Sequence, residues 1–283
     1  MKKRDQTARG GGRAAAIEDA LKGAMAAIQN RQPDVAERIA REVLARDSQH
    51  PGALHVVGVA LLAQGRVREA VVPLEQAARA RTDPVIETHL AIALRQLGQT
   101  EQALQVLERA VARQPAVPMA FHELGVLLFS QRRLAEAQAV LERALEIAPA
   151  MPELSVVLGG VFLDRLDRAN AKLAFARVLA SAPGHPGALY GLGTALMEGG
   201  EFAAAADRFR QALARDPGYA QARLSLGTCL LELGRWDEAI ECLRAVVKAA
   251  PQLYTKALQT LVTAGRGRFW LKPSTATEML RPK

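Results

Sequence analysis

The sequence predicts an all-α chain, a solenoid of stacked helix-turn-helix repeats, and three observations carry that expectation. Alanine recurs at Ala36, Ala70, Ala103, Ala137, Ala171, Ala205 and Ala239, at steps of 34, 33, 34, 34, 34 and 34 residues. Twelve residues ahead of five of these alanines stands a glycine, at Gly58, Gly125, Gly159, Gly193 and Gly227, and Ala24 and Ala91 fill that place in the first and third units. Ten of the fourteen prolines fall at two offsets: Pro51, Pro84, Pro118, Pro152 and Pro186 nineteen before an alanine, and Pro115, Pro149, Pro183, Pro217 and Pro251 twelve after one. A fixed period of this length marks stacked supersecondary units, none of which can bury its apolar face alone. An ordinary helical bundle would show no such register.

Taken in chain order, the first element is a tail. Residues 1–13 carry Lys2, Lys3, Arg4, Arg9 and Arg13 against Asp5 and end on Gly10-Gly11-Gly12, with little to bury, which predicts a disordered basic tail. The apolar stretch that follows is broken by Glu18, Asp19 and Lys22, so it does not read as a secretory signal. No run approaches the roughly 18 apolar residues that cross a membrane.

Residues 14–264 are expected to hold seven units and a closing helix. In each unit the early proline suits the first residue of a first helix, where its missing N–H costs nothing. The small residue twelve before the alanine and the alanine itself let two antiparallel helices approach closely. Gly65, Gly98, Gly200 and Gly234 supply the turn between the helices, and the late proline stops the second helix. Val57, Leu90, Leu124, Leu158, Leu192 and Leu226 form one core row, and Leu74, Leu107, Leu141, Phe175, Phe209 and Leu243 the other. Ser48 and Thr82 replace the late proline in the first two units. Pro73 falls inside a second helix and predicts a kink there. A solvating helix is expected near 253–264. The last segment, 265–283, is a second basic tail with an aromatic cluster, Phe269-Trp270-Leu271, and a capping box, Thr275 to Glu278, for a short helix. It reads as a segment that folds back as a lid over the last repeat or into the chain's own groove, with a docking peptide or dimerisation element as the rival.

Runs such as Gly193-Thr-Ala-Leu-Met-Glu-Gly-Gly-Glu-Phe-Ala-Ala-Ala205 and Gly227-Thr-Cys-Leu-Leu-Glu-Leu-Gly-Arg-Trp-Asp-Glu-Ala239 resemble the tetratricopeptide repeat family, over roughly residues 17–251. The resemblance implies a right-handed superhelix whose concave face is lined by the first helix of each unit. The fifth, ninth and twelfth residues of each unit then face the groove. They are Leu21 and Met25; His55, Val59 and Leu62; Thr88, Ile92 and Arg95; His122, Val126 and Phe129; Val156 and Leu163; Tyr190, Thr194 and Met197; Leu224, Thr228 and Leu231. A mostly aliphatic lining suits an amphipathic helix or an extended apolar segment. A subset of the family clamps a C-terminal carboxylate with lysine and asparagine; the fifth residues here are Leu21, His55, Thr88, His122, Val156, Tyr190 and Leu224, which cannot form that clamp.

Charge and composition bound the function. The net charge of +8 comes from a surplus of four in each tail, leaving 14–263 neutral. Nucleic acid is therefore disfavoured as a partner except through the tails. The two cysteines, Cys229 and Cys242, lie outside any metal or redox spacing and read as buried thiols in a reducing, cytoplasmic compartment. The excess of arginine over lysine and the abundant alanine suit a GC-rich bacterial genome. The five histidines, His50, His55, His89, His122 and His185, form no metal motif: Val126 stands where a helical zinc site after His122-Glu123 would need histidine. No phosphate loop, cofactor motif or catalytic constellation is found. The expected function is a non-enzymatic scaffold or adaptor that holds a peptide or helix segment in an apolar groove. The alternatives are a substrate-presenting or regulatory subunit of a protein-modifying enzyme system, and docking of the tails on nucleic acid or anionic membrane. Partner identity and oligomeric state are left open.

Overall fold

The computed structural model describes residues 2–263 and 273–280, with side chains over 15–263 and 274–280. Among the described residues it is all helical, and the chain forms two compact units, Met1–Arg133 and Leu134–Lys283.

The first unit holds α1 (Lys2–Gln29), α2 (Pro33–Leu44), α3 (Pro51–Ala63), α4 (Val67–Ala80), α5 (Pro84–Gln96), α6 (Thr100–Val111) and α7 (Pro118–Ser130). Consecutive helices pack pairwise, and in the row α1, α3, α5, α7 each of the first three also touches the next. The backbone of α1 is helical from Lys2, over residues where the sequence leads one to expect a disordered tail. The second unit holds α8 (Leu134–Ile147), α9 (Pro152–Asp164), α10 (Arg168–Ser181), α11 (Pro186–Glu198), α12 (Phe202–Arg215), α13 (Ala220–Glu232), α14 (Trp236–Ala249), α15 (Tyr254–Thr263) and α16 (Pro273–Leu280), with a 3₁₀ turn over Pro251–Leu253. It repeats the pairwise scheme, with α9, α11, α13 and α15 forming the row of first helices.

The sequence punctuation becomes geometry at each boundary. The five early prolines are the first residues of α3, α5, α7, α9 and α11. Donors freed at the helix starts are met locally: His50 Nδ1 accepts from the Ala53 amide and His185 Nδ1 from the Ala188 amide, both at 3.2 Å, and Asp83 accepts from Val85 at 2.9 Å. Two of the five histidines are thereby committed as caps. After α3, Gly65 at φ +75° lets its amide reach the Leu62 carbonyl at 3.0 Å and the Arg66 amide the Leu61 carbonyl at 2.9 Å. These two bonds are the Schellman closure that a left-handed residue permits.

The two small-residue rows work by close approach. A Cβ placed on Gly58 would lie 2.4 Å from the Leu74 side chain, and one on Gly193 2.7 Å from the Phe209 ring. Phe175 is held from two sides: Gly159 faces it within its own repeat and Gly191 from the next, where added Cβ atoms would lie 2.6 and 2.3 Å from the ring. Both phenylalanines are buried, at 2% and 0% exposure, and each contributes about 2–3 kcal/mol of apolar burial. α4 is a single helix through Pro73. The proline ring removes the amide that would bond the Glu69 carbonyl, which is the physical basis of the expected kink.

The chain closes with an extra hairpin. α16 packs on α14 and α15, burying Ala276 and Leu280 completely against a core that includes Leu243, Ala257 and Leu261. Arg244 Nε donates to the Met279 carbonyl at 2.6 Å and so bonds one of the orphan acceptors at the end of α16. The helix starts on Pro273, two residues ahead of the expected capping residue Thr275, because proline already supplies helical φ at a first position.

Candidate functional site

The row of first helices presents the residues the repeat register singles out. In the first unit, His55, Leu62, Ile92, Arg95, His122, Val126 and Phe129 are half-buried, the state of side chains that line a face without being enclosed by it. Val59 and Thr88 are buried instead, and Thr88 Oγ1 donates to the Pro84 carbonyl of its own helix at 2.6 Å. In the second unit Val156, Leu163, Tyr190, Thr194, Met197, Leu224 and Thr228 are half-buried, and Leu231 is buried. Thr194 and Thr228 also return their hydroxyl protons to carbonyls four residues back, of Tyr190 at 3.0 Å and Leu224 at 3.2 Å. Threonine hydroxyls spent this way offer no donor outward. The second unit's face therefore reads as more apolar than its residue types suggest.

Tyr190 is the centre of that face. Its ring lies 5.0 Å from Tyr219 and 5.7 Å from Phe209, both tilted, within the range of favourable aromatic contacts. Burial, with Tyr190 and Asp216 beside it, pushes the Tyr219 hydroxyl up to about 12, so it stays protonated. Met197 and Leu224 pack against the same core, and Val156 and Leu163 against the cluster around Phe175.

The first unit is more polar. A cleft of about 610 Å³ opens where α1 meets α3, lined among others by Leu21, Met25, His50, His55 and Arg81. Beside it, His55 Nε2 lies 3.1 Å from His89 Nδ1, which is also 2.8 Å from the Val85 carbonyl. A carbonyl only accepts, so His89 Nδ1 carries the proton and His55 Nε2 presents its lone pair. The buried surroundings favour the neutral form of both rings. Burial, together with His89, pushes His55 down to about 4, and burial also lowers His89. Farther along, Arg95 meets Glu123 at 3.0 Å, and His122 Nδ1 lies 3.4 Å from the same carboxylate. Burial acts to raise the Glu123 pKa, but His122 and Arg95 hold it below its ordinary value. Glu87, 4% exposed, is gripped by Arg113 at 2.7 and 3.1 Å.

His89, Glu123 and Glu87 are not among the residues that register assigns to the face. The signal that finds the first of them is its separation of 34 residues from His55, one full repeat. Phe269, Trp270 and Leu271 lie outside the described residues. The thiols of Cys229 and Cys242 are raised by burial, Cys229 to about 12, which leaves them as unreactive apolar groups at neutral pH. No helix among the described residues is long and apolar enough to cross a membrane.

No curated protein matches the chain. Among solved structures it is similar to the APC/C hetero-tetramer Cut9-Hcn1, at 17% identity and a TM-score of 0.75, covering 85% of this chain and 48% of that one. It thus spans about half the length of that protein. It is also similar to a tetratricopeptide repeat protein from Parabacteroides merdae (15% identity, 87% and 98% covered, TM-score 0.67) and to PilF of Pseudomonas aeruginosa (21%, 75% and 99%, 0.63). At these identities the likeness is one of fold, that of helical hairpins in consecutive packed pairs. The tetratricopeptide repeat model matches residues 21–84, 89–152, 157–207 and 190–254, and with hairpins opened by proline and pinched at glycine, the chain belongs to the tetratricopeptide repeat family.

Proposed function

We propose that this chain is a protein-binding scaffold that holds an amphipathic helix or extended apolar segment against its first helices. The scaffold role is that of the family's fold. The segment-binding role is supported by one observation above the rest: Val156, Leu163, Tyr190, Met197 and Leu224 are apolar and half-buried, while the threonines between them have turned their hydroxyls back to their own helices. Such a face offers contact area and few donors, which suits an apolar ligand rather than a charged terminus. Protein partners follow from the fold.

The test replaces Val126, Phe129 and Leu163 by glutamate in the full chain. Proteins that co-purify with the parent should fall away from the variant by more than about tenfold, with helical circular dichroism unchanged. Capture unaffected by the three substitutions would reject the first-helix face as the binding surface.

A further inference from the structure

The outward face of α10 differs from that of every other second helix. Ala169, Leu173, Ala176 and Ala180 all point to solvent, opposite the buried Ala171, Phe175 and Val178. With Leu166 in the preceding turn they fall at steps of three, four, three and four residues, the spacing of a coiled-coil seam. Leu173 is 67% exposed and Leu166 74%. The positions equivalent to the four helical ones carry at least two charges in each of the other six repeats: Asp34, Arg38 and Arg41 in α2, for example, and all four of Asp237, Glu241, Arg244 and Lys248 in α14. In α10 they carry none.

Leu166 adds an independent observation. It sits at φ +61°, at the turn position that Gly65, Gly98, Gly200 and Gly234 fill elsewhere. A branched apolar side chain in that region is strained and gains nothing from solvent, and strain of this kind collects where a surface has a use. The two other non-glycine residues at this position, Arg31 and Arg132, are charged rather than apolar.

The charge around the stripe indicates what covers it. α10 has no acidic residue, whereas each of the other six second helices has at least one. At 100° per residue, Lys172 borders the stripe on one side and Arg177 on the other. Lys172 pairs with Glu201. Arg177 meets only the Pro149 carbonyl, at 3.4 Å, and no carboxylate among the described residues. A second copy docked antiparallel about a twofold axis would bring Arg177 toward its own mate and Lys172 toward its own, which repels. A stripe of three alanines and two leucines is also too small in apolar area to hold a lipid surface, which takes large side chains. It does fit another helix at close range, since alanine lets backbones approach.

We propose that the outward face of α10 is a second docking surface, taking an amphipathic helix of a protein partner whose apolar seam is flanked by carboxylates, one of them facing Arg177. This surface lies on the row of second helices and does not depend on the first-helix reading above.

The probe is a synthetic helix of about three heptads with leucine and alanine alternating along its seam, made once with glutamate and once with lysine at the flanking positions. Fluorescence anisotropy against the full chain should show the glutamate peptide binding about tenfold or more tighter than the lysine peptide. Leu173→Gln, an exposed change that leaves the helix intact by circular dichroism, should weaken the glutamate peptide by about tenfold. Arg177→Glu should reverse the preference between the two peptides. Equal binding of the peptides, an affinity that Leu173→Gln leaves unchanged, or a preference that survives Arg177→Glu overturns the proposal. So does a Leu173-dependent dimer in sedimentation, or Leu173-dependent capture on phosphatidylglycerol vesicles without peptide binding.

Discussion

His55 and His89 illustrate how a single pair can set a pH limit. Burial disfavours a charge on either ring, and His89 and Arg81 add to this at His55; Asp83 acts to raise both values, and the Val85 carbonyl and Glu123 act to raise that of His89. The folded value of His55, about 4, lies below the ordinary 6.5. The unfolded chain therefore binds protons first as pH falls, so the stability contributed by the neutral pair is complete above about pH 6.5 and is lost on the way down to about 4. The expected loss for His55 is on the order of 2–3 kcal/mol. Urea midpoints measured at pH 7.5 and 5 should fall for the parent chain and fall much less for the His55→Gln, His89→Gln double variant; parallel losses would place the titration elsewhere. Buried Glu123, which His122 and Arg95 hold below its ordinary value, acts in the same direction only at lower pH.

At the scale of elements, the closing hairpin makes the sharpest demand. α16 buries Ala276 and Leu280 and half-buries Met279 on the last repeat. Ending the chain at residue 272 should lower stability of that end by roughly 2–4 kcal/mol, the burial of those three side chains. Hydrogen exchange should then speed up in α14 and α15, and protection retained there would show α16 to be passive. The helices themselves were legible in the sequence wherever a rule of geometry admits few residues: proline at a first position, glycine where Phe175 or Leu74 must approach. The small-residue row and the row four residues after each alanine look like separate stripes in the sequence, and they are two sides of one contact. What stayed hidden depends on neighbouring repeats. The 33-residue step between Ala70 and Ala103 shifts His89 by one place in its unit relative to His55, so counting from the alanines separates two rings that touch. Place in the repeat puts Val59, Thr88 and Leu231 on the open face, but their burial is decided by packing that the register does not encode. The charge-free stripe of α10 becomes visible only when outward faces are compared repeat by repeat.

For the molecule as a whole, each hairpin touches only those beside it in its unit, so stability is closer to a sum of local terms than to one global transition. Phe209→Ala, which empties a site buried to 0% exposure, should cost about 3–5 kcal/mol. Mass-spectrometric hydrogen exchange should place that loss in α11–α14 and leave α3–α6 as protected as before; a uniform loss would mean that the chain unfolds as one body. The same locality has a temporal side. The side-chain hydrogen bonds that join repeats, such as Gln64 to Glu37, Arg95 to Glu123, His55 to His89 and Arg244 to Met279, span 27 to 35 residues. Loops of that one length are closed over and over, and none waits for a distant part of the chain. On the ribosome, each repeat can complete its bonds as soon as the next has emerged, so the amino-terminal hairpins can be finished while the carboxy-terminal ones are still being translated.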